Sequence, residues 1–503
     1  MTGATTLDLS ALAPLSQRLT ADYLEFNGVL PLRMTDQGVE VATWLPEVDP
    51  QVLDDLRFVF DAEPELVQGP EADLRAAIRR VYGGEGVTAE GVIAGLGPGE
   101  STLPLQADVP LDDLVQLANE APVVKLVNLL VLEALEARAS DVHLEGYADS
   151  LRVRYRIDGV LQDGPAPPAH LAAAIVSRVK IMADLDIAER RVPQDGRIRL
   201  RLQDRQVDVR VSTVPVLHGE SIVLRLLDKE RGRIALEDLG MADDTRLRLE
   251  EVIARPHGIV LATGPTGSGK TTTLYAAVDR IKTGREKILT VEDPVEYEFP
   301  GVPQVPVHEK VGLTFATALR SLLRQDPDVL FVGEIRDEQT AEIATHAALT
   351  GHLVLSTLHT NDAPSALTRL IDLGVAPYLV ASTVEAILAQ RLVRRVCSAC
   401  ARSATPEEQV AREFGIESRD IPAVARPHGC DKCRGTGFRG RTGIYELLVL
   451  DEGFRAELRA HHDEADLRSL AIAHGMRTLR DDGLRLILAG VTTPDEVLRV
   501  TRA

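Results

Sequence analysis

The sequence predicts a multidomain α/β protein in three parts: a small acidic α+β domain, a second α+β domain on an antiparallel sheet, and a larger α/β domain with a mostly parallel sheet. Length is the first observation behind this, since 503 residues exceed one core and suffice for about three at roughly 150 residues each. Composition is the second: 45% hydrophobic and 26% charged residues are the shares of a globular chain. The third is that the hydrophobic period changes twice along the chain, from helical to alternating, then to short apolar runs between helical segments.

Residues 1–90 hold short amphipathic pieces, "VLDDLRFVF" and "EADLRAAIRRVYG", and close in the glycine-rich "GGEGVTAEGVIAGLGPGE". Residues 91–109 read as a linker. Of the 76 acidic and 56 basic side chains behind the net charge of -20, residues 1–110 hold 18 and 6, and the first lysine is Lys125. Such a domain repels DNA and anionic lipid, which points to a protein partner. The start, "MTGATTLDLSALAPL", lacks the basic and apolar regions of a secretory signal. No apolar run approaches the ~20 residues of a membrane span; the nearest, "APYLVASTVEAILAQRL", is interrupted at helical spacing by Glu385 and Arg391. A cytoplasmic chain is expected, with any membrane role peripheral.

The second domain is expected over 110–229. "PVVKLVNLLVLEALEARAS" has apolar residues three and four apart, a helix with one buried face. "LRVRYRIDGVL" then alternates, with Leu151, Val153, Tyr155 and Ile157 on one face and Arg152, Arg154 and Arg156 on the other. "RIRLRLQDRQVDVRVSTV" continues the pattern with a turn near Gln203 to Arg205, and "SIVLRLLD" completes a half-buried antiparallel sheet. From 236 to 503, the runs "GIVLAT", "KILTVED", "DVLFVGE" and "HLVLST" alternate with helical stretches, as in a parallel sheet covered on both faces. Residues from about 450 to 503 read as a small helical bundle.

The loop Gly264, Pro265, Thr266, Gly267, Ser268, Gly269, Lys270, Thr271 fits GxxxxGK[ST] between a predicted strand and a predicted helix, with Thr272 following. Glycines let backbone N–H groups converge on phosphate, Lys270 reaches the β and γ phosphates, and Thr271 offers a hydroxyl to magnesium. ATP with magnesium is the expected ligand pair. "DVLFVGEIRD" ends an apolar strand with Gly333 and Glu334, so Glu334 is the candidate base. "ILTVEDPVEY" adds Glu292, Asp293 and Glu296 at the end of a neighbouring strand, where α/β sheets place ligand residues. Asp293 is the candidate partner of magnesium, and Glu292 is next in line as base; the alternative for this trio is a solvated acidic loop. His352 and His359 bracket "HLVLSTLHTND"; His359 is the candidate sensor of the γ-phosphate, against a structural role. The four cysteines, Cys397, Cys400, Cys430 and Cys433, form two CxxC pairs 29 residues apart. That spacing matches a closed, structural zinc site within a module at about 395–440; the alternative is disulfides, disfavoured in a reducing compartment.

Together "ASDVHLEG", "RYRIDGVL", "MADLDIAERRVPQDGRI", "GPTGSGKTTTLYA", "LTVEDPVEY", "LLRQDPDVLFVGEIRD" and "LTGHLVLSTLHTNDA" resemble the secretion ATPase family that powers bacterial type II secretion and type IV pilus assembly. The resemblance covers about 110–500. It implies a RecA-like ATPase domain and makes Gly333 a family habit. It sets Arg210 and Arg225 of the second domain against the γ-phosphate, where the residues alone read as the wet face of a sheet. Arg320 and Arg324 match family arginines near the site or a subunit interface. The resemblance also implies a homohexameric ring, a zinc insertion beside the inner-membrane platform protein, and docking of the first domain to the cytoplasmic part of a bitopic membrane protein.

Type II secretion is the expected process, with pilus extension as the alternative. A nucleic-acid translocase is opposed by the charge of -20 and by the lack of a basic stripe interleaved with aromatics. A non-hydrolysing scaffold is opposed by an intact Lys270, Thr271 and Glu334.

Overall fold

The computed structural model describes residues 15, 16, 23, 24, 27–35, 38–46, 48–60, 62–81, 89, 93, 121–202, 205–228, 234–404, 413, 414, 424–459 and 463–502. The expected linker at 91–109, apart from residue 93, and residues 203 and 204 of the expected turn lie outside them.

The first part is a three-stranded sheet of β1 (Val29–Met34), β2 (Val39–Thr43) and β3 (Pro64–Gln68), with β2 central. Two helices, α1 (Pro50–Phe60) and α2 (Glu71–Val81), pack on it. Leu56 from α1 and Leu74 and Ile78 from α2 bury against Val29, Val39 and Val41. The amphipathic pieces seen in the sequence are these two helices.

The second part begins with α3 (Ala121–Glu136), followed by β4 (Ala139–Gly146), β5 (Leu151–Ile157), β6 (Val160–Asp163), α4 (Ala172–Met182), β7 (Gln194–Leu202), β8 (Arg205–Val216) and β9 (Gly219–Asp228). The sheet order is β6-β5-β4-β9-β8-β7, antiparallel throughout. Its alternation sends Val142, Leu144, Val153, Val209, Val211 and Leu224 into one core with α3 and α4. The opposite face is polar. Register sets Arg197 opposite Arg210, Arg210 opposite Arg225, Arg225 opposite Asp141, and Asp141 opposite Arg156. These residues, spread between Asp141 and Arg225 in the sequence, therefore form one row at about 5 Å per strand.

The third part contains α5 (Asp243–Ile253), β10 (Gly258–Thr263), α6 (Lys270–Ile281), β11 (Ile288–Glu292), β12 (Gln304–Pro306), α7 (Phe315–Leu322), β13 (Val329–Val332), α8 (Glu338–Leu349), β14 (Leu353–Leu358), α9 (Pro364–Asp372) and α10 (Pro377–Thr383). The seven-stranded sheet has the order β12-β11-β13-β14-β10-β15-β18 and is parallel up to β15 (Val384–Val396); β18 (Phe438–Val449) is antiparallel. Alternate residues of β10 enter opposite cores: Ile259 and Leu261 join α7, α8 and α9, and Val260 and Ala262 join α5 and α6. Burial of both faces explains the continuous apolar runs.

One expectation is corrected here. "APYLVASTVEAILAQRL" is not a helical run: seven helical residues of α10 give way to β15, whose first eight residues are all buried. Glu385 and Arg391 lie six apart, and so on one face of that strand. Tertiary partners make the charges tolerable, Glu385 being bound by Arg255 and Arg455.

The β15–β18 hairpin carries the cysteines at its tip, beside the small sheet of β16 (Arg402–Ala404) and β17 (Val424–Arg426). Four helices, α11 (Glu452–Leu458), α12 (Glu464–Ala473), α13 (Leu479–Leu488) and α14 (Pro494–Thr501), close the chain. No helix among the described residues is long and apolar enough to cross a membrane. Among the described residues, contacts between the second part and the third include Gly440 N–H donating to Asp158 Oδ2 at 2.7 Å, Arg441 Nε 3.9 Å from Asp158 Oδ1, and Arg210 Nη2 3.9 Å from Glu296 Oε2.

Candidate nucleotide site and cysteine cluster

The loop from Gly264 to Gly269 joins buried β10 to α6. Its glycines are required by geometry. Gly264 and Gly269 have φ of 147° and 89°, and a Cβ would stand 2.5 Å from Gln390 O at the first and 2.7 Å from Gln390 Nε2 at the second. Pro265, Thr266 and Gly267 are exposed, Thr271 and Thr272 are half-buried, and Ser268 Oγ is buried without a partner.

Lys270 is 8% exposed and, among the described residues, donates only to loop carbonyls, Gly264 O at 2.6 Å and Pro265 O at 3.2 Å. Burial pulls its ammonium down to about 8; Arg391 adds to this and Glu334 opposes it. A buried lysine at the start of a helix behind a glycine-rich turn, with an orphaned serine hydroxyl beside it, fits a polyphosphate with its magnesium.

Glu334 follows β13, with its side chain 13% exposed. It pairs with Arg336 Nη2 at 2.5 Å and lies 3.4 Å from His359 Nε2. The Arg336 guanidinium is raised by that bond. Lys270, Glu334 and His359 thus converge from the ends of β10, β13 and β14. Thr360 fixes the third strand end to the first: Thr360 N–H donates to Thr263 Oγ1 at 2.9 Å. His352 is at the far end of β14, where its Nδ1 lies 2.9 Å from Ala347 O at the close of α8, a structural contact.

Glu292 does not fit the expectation of a second base. It is 2% exposed, and its Oε1 accepts from Thr290 Oγ1 at 2.6 Å and Gln304 Nε2 at 3.0 Å while Oε2 accepts from Tyr275. Tyr275 is itself packed edge-on against Tyr297 and Phe299, and its hydroxyl is raised by burial and by Glu292. A carboxylate with both oxygens occupied anchors α6 to β11. The exposed acids of that loop are Asp293, Glu296 and Glu298.

Arg210 reaches Glu296 across the two parts of the chain. Burial lowers its guanidinium, Glu296 and Asp293 oppose the shift, and Arg197 and Arg225 add to it. Arg225 instead holds Asp141, Nε to Oδ1 at 3.0 Å. Arg320 and Arg324 are exposed at the end of α7 and just beyond it, where Arg324 donates to Arg320 O at 2.9 Å; no contact brings them to the loop.

The four cysteine sulfurs lie within 4.8 Å of one another, with Cys397–Cys430 at 3.9 Å, Cys400–Cys433 at 3.8 Å and Cys430–Cys433 at 3.7 Å. Thiolates about 2.3 Å from a tetrahedral zinc stand about 3.8 Å apart. The fit is direct, and no disulfide is formed. Against the upward pull of burial, N–H groups of Cys430 and Gly437 bring the Cys433 thiol down, favouring the ligating thiolate.

Sequence reasoning missed Arg336, Gln390, Arg391 and Asn361. Their one signal was a polar pair, Gln390–Arg391, inside the apolar run of β15.

A sequence model of the family described as type II/IV secretion system protein matches residues 116–499, and one of the MshEN domain matches 5–88. The type II secretion system protein HxcR of Pseudomonas aeruginosa is 53% identical over 399 residues, covering 79% of this chain and 81% of that one. The type II secretion system protein E of the same organism is 45% identical over 500 residues, 98% of each chain. The type IV pilus assembly ATPase PilB of Myxococcus xanthus is 45% identical over 450 residues, 89% of this chain and 79% of that one. Among solved structures, the pilus retraction motor PilT with bound ADP superposes at a TM-score of 0.51 and 27% identity, covering 74% of this chain and 96% of PilT. With its loop, strand order and 384 matched residues in agreement, the chain belongs to the type II/IV secretion system protein family, as one of its P-loop ATPases.

Proposed function

We propose that this chain is the cytoplasmic ATP-hydrolysing motor of a type II secretion system, driving pseudopilus assembly. The observation that carries the mechanism is the convergence of Lys270, Glu334 and His359 on one loop, with Arg210 of a separate sheet already in contact with the acidic loop after β11. Backbone N–H groups and Lys270 hold the β and γ phosphates. Glu334 orients the attacking water and takes its proton, while Arg336 and His359 keep its carboxylate at the loop. His359 meets the γ-phosphate. Arg210 and Arg225 close on the same phosphate, which requires Arg210 to leave Glu296 and Arg225 to leave Asp141. Hydrolysis is thereby exchanged for movement of one part of the chain against the other. Thr271 and Asp293 would hold a magnesium ion, which would supply positive charge against the phosphates. Zinc on Cys397, Cys400, Cys430 and Cys433 stiffens the tip of the β15–β18 hairpin.

The working form in this reading is a homohexamer, with Arg320 and Arg324 at the subunit interface. It attaches to the inner membrane only through partners: the acidic first domain on a bitopic secretion protein, the zinc module beside the platform protein. Pilus extension is the second reading, because a pilus assembly ATPase matches at the same 45% identity as a secretion protein E; near-complete coverage of both chains favours secretion. Capture of the full chain by the secretion system's membrane anchor supports the first reading, and capture by pilus components alone overturns it. Strong stimulation of ATP hydrolysis by DNA at physiological salt overturns both.

A further inference from the structure

Behind the phosphate loop lies a buried guanidinium that the mechanism above does not use. Arg391 on β15 is 8% exposed. Its Nη2 donates to Asn361 O at 2.8 Å and lies 3.4 Å from Asn361 Oδ1, while Nη1 donates to Gln390 O at 3.1 Å. A Cβ on Gly264 would stand 2.9 Å from Nη1, so the guanidinium abuts the first residue of the loop. Among the described residues no carboxylate is in contact with it. Glu446 and Asp362 act on it from a distance, Lys270 is the cation it faces, and burial pushes it down.

Burying a guanidinium without a contacting carboxylate is costly, and what this one gains is hydrogen bonding to the backbone and side-chain oxygens of Asn361 and to the carbonyl of its own strand neighbour Gln390. They tie the His359–Asn361 segment to β15, and the guanidinium that makes them abuts Gly264 at the start of the phosphate loop. Asn361 is two residues from His359, and its neighbour Thr360 is tied to Thr263, the residue before Gly264. Gln390 supports the other end of the loop, accepting from Thr273 Oγ1 at 2.8 Å.

We propose that Arg391 is a positioning residue for ATP hydrolysis: hydrogen-bonded to Asn361 on one side and abutting Gly264 on the other, it holds the start of the phosphate loop against the His359–Asn361 segment, setting Lys270 and His359 in register. The role rests on the ATPase reading and is exerted through His359, without contact to the nucleotide.

The test is steady-state hydrolysis by the purified full chain carrying Arg391→Gln or Arg391→Lys, each alone and combined with His359→Ala. Misplacement of about 1 Å costs on the order of 10²-fold. Arg391→Gln is expected to lower kcat by about that factor with KM changed less than about threefold. Arg391→Lys keeps the charge but not the fork, and a drop of about tenfold is expected. Both losses shrink to within about twofold when His359 is already alanine, because positioning is then without an object. Should Arg391→Gln fail to fold, Arg391→Lys alone decides. Unchanged kcat, or a loss that stays the same in the His359→Ala background, overturns the proposal. Absence of hydrolysis in the unmodified chain bears on the ATPase reading, whereas hydrolysis without coupling refutes only this one.

Discussion

Glu292 ends β11 and Glu334 lies just past β13, neighbouring parallel strands of one sheet, and both were sequence candidates for the same chemical task. Their surroundings separate them. Glu292 is anchored by Tyr275, Thr290 and Gln304 in an aromatic core. Glu334 is partly open, has Arg336 and His359 as its contacts among the described residues, and opposes the downward pull on the Lys270 ammonium. A strand end places an acid near the phosphates; the donors around it decide whether it can take a proton. In the proposed mechanism Asp293 of the β11 loop serves magnesium, Glu296 of that loop meets Arg210, and the β13 loop supplies Glu334 itself.

The largest effect that sharpens this contrast lies on the far side of the β11 loop. Replacing Arg210 or Arg225 by alanine is expected to lower turnover by about 10²-fold to 10³-fold, near the lower range of arginine fingers, with ATP binding retained. A filter-binding assay beside steady-state hydrolysis checks this, and turnover within about twofold of the parent chain leaves these arginines as a solvated sheet face.

Glu292→Gln is expected to act on stability instead. It leaves Thr290, Tyr275 or Gln304 short of an acceptor in a buried site, at a cost of about 2 kcal/mol in chemical unfolding, with turnover of the folded fraction within about threefold. A stable protein without turnover would break the contrast.

The smallest effect is in pH. Free Lys270 titrates near 8, below its ordinary value, and phosphates restore its affinity for the proton. Binding thus takes up a proton above pH 8, and ATP affinity is expected to fall by about eightfold from pH 7.5 to 9. For the same reason the unfolded chain binds more protons between about 8 and the ordinary lysine value, so this group's contribution to stability rises with pH there. Equilibrium nucleotide binding checks the affinity; Lys270→Arg flattens the profile, and Glu334→Gln moves its midpoint lower while Glu292→Gln leaves it in place.

The phosphate loop was legible in sequence because its requirements are contiguous: glycines at positive φ, then lysine and threonine at a helix start. The cysteine cluster was legible for a related reason, two short pairs whose spacing demands a closed site. The arginine face was visible as a two-residue period, but the row through Arg197, Arg210, Arg225 and Asp141 depends on register between strands, which no local pattern states. Glu292 was misjudged because its three donors come from β11 itself, α6 and β12. Arg391 was read as a break in a helical run because a strand buried on both faces lacks the alternation that marks a strand.

Single-turnover hydrolysis by Glu334→Gln, with ATP occupancy measured on the same sample, tests the central assignment most directly. Full occupancy with the chemical step slowed by on the order of 10³-fold is the expected result. Full occupancy with hydrolysis at the rate of the parent chain would place the base elsewhere and contradict the assignment.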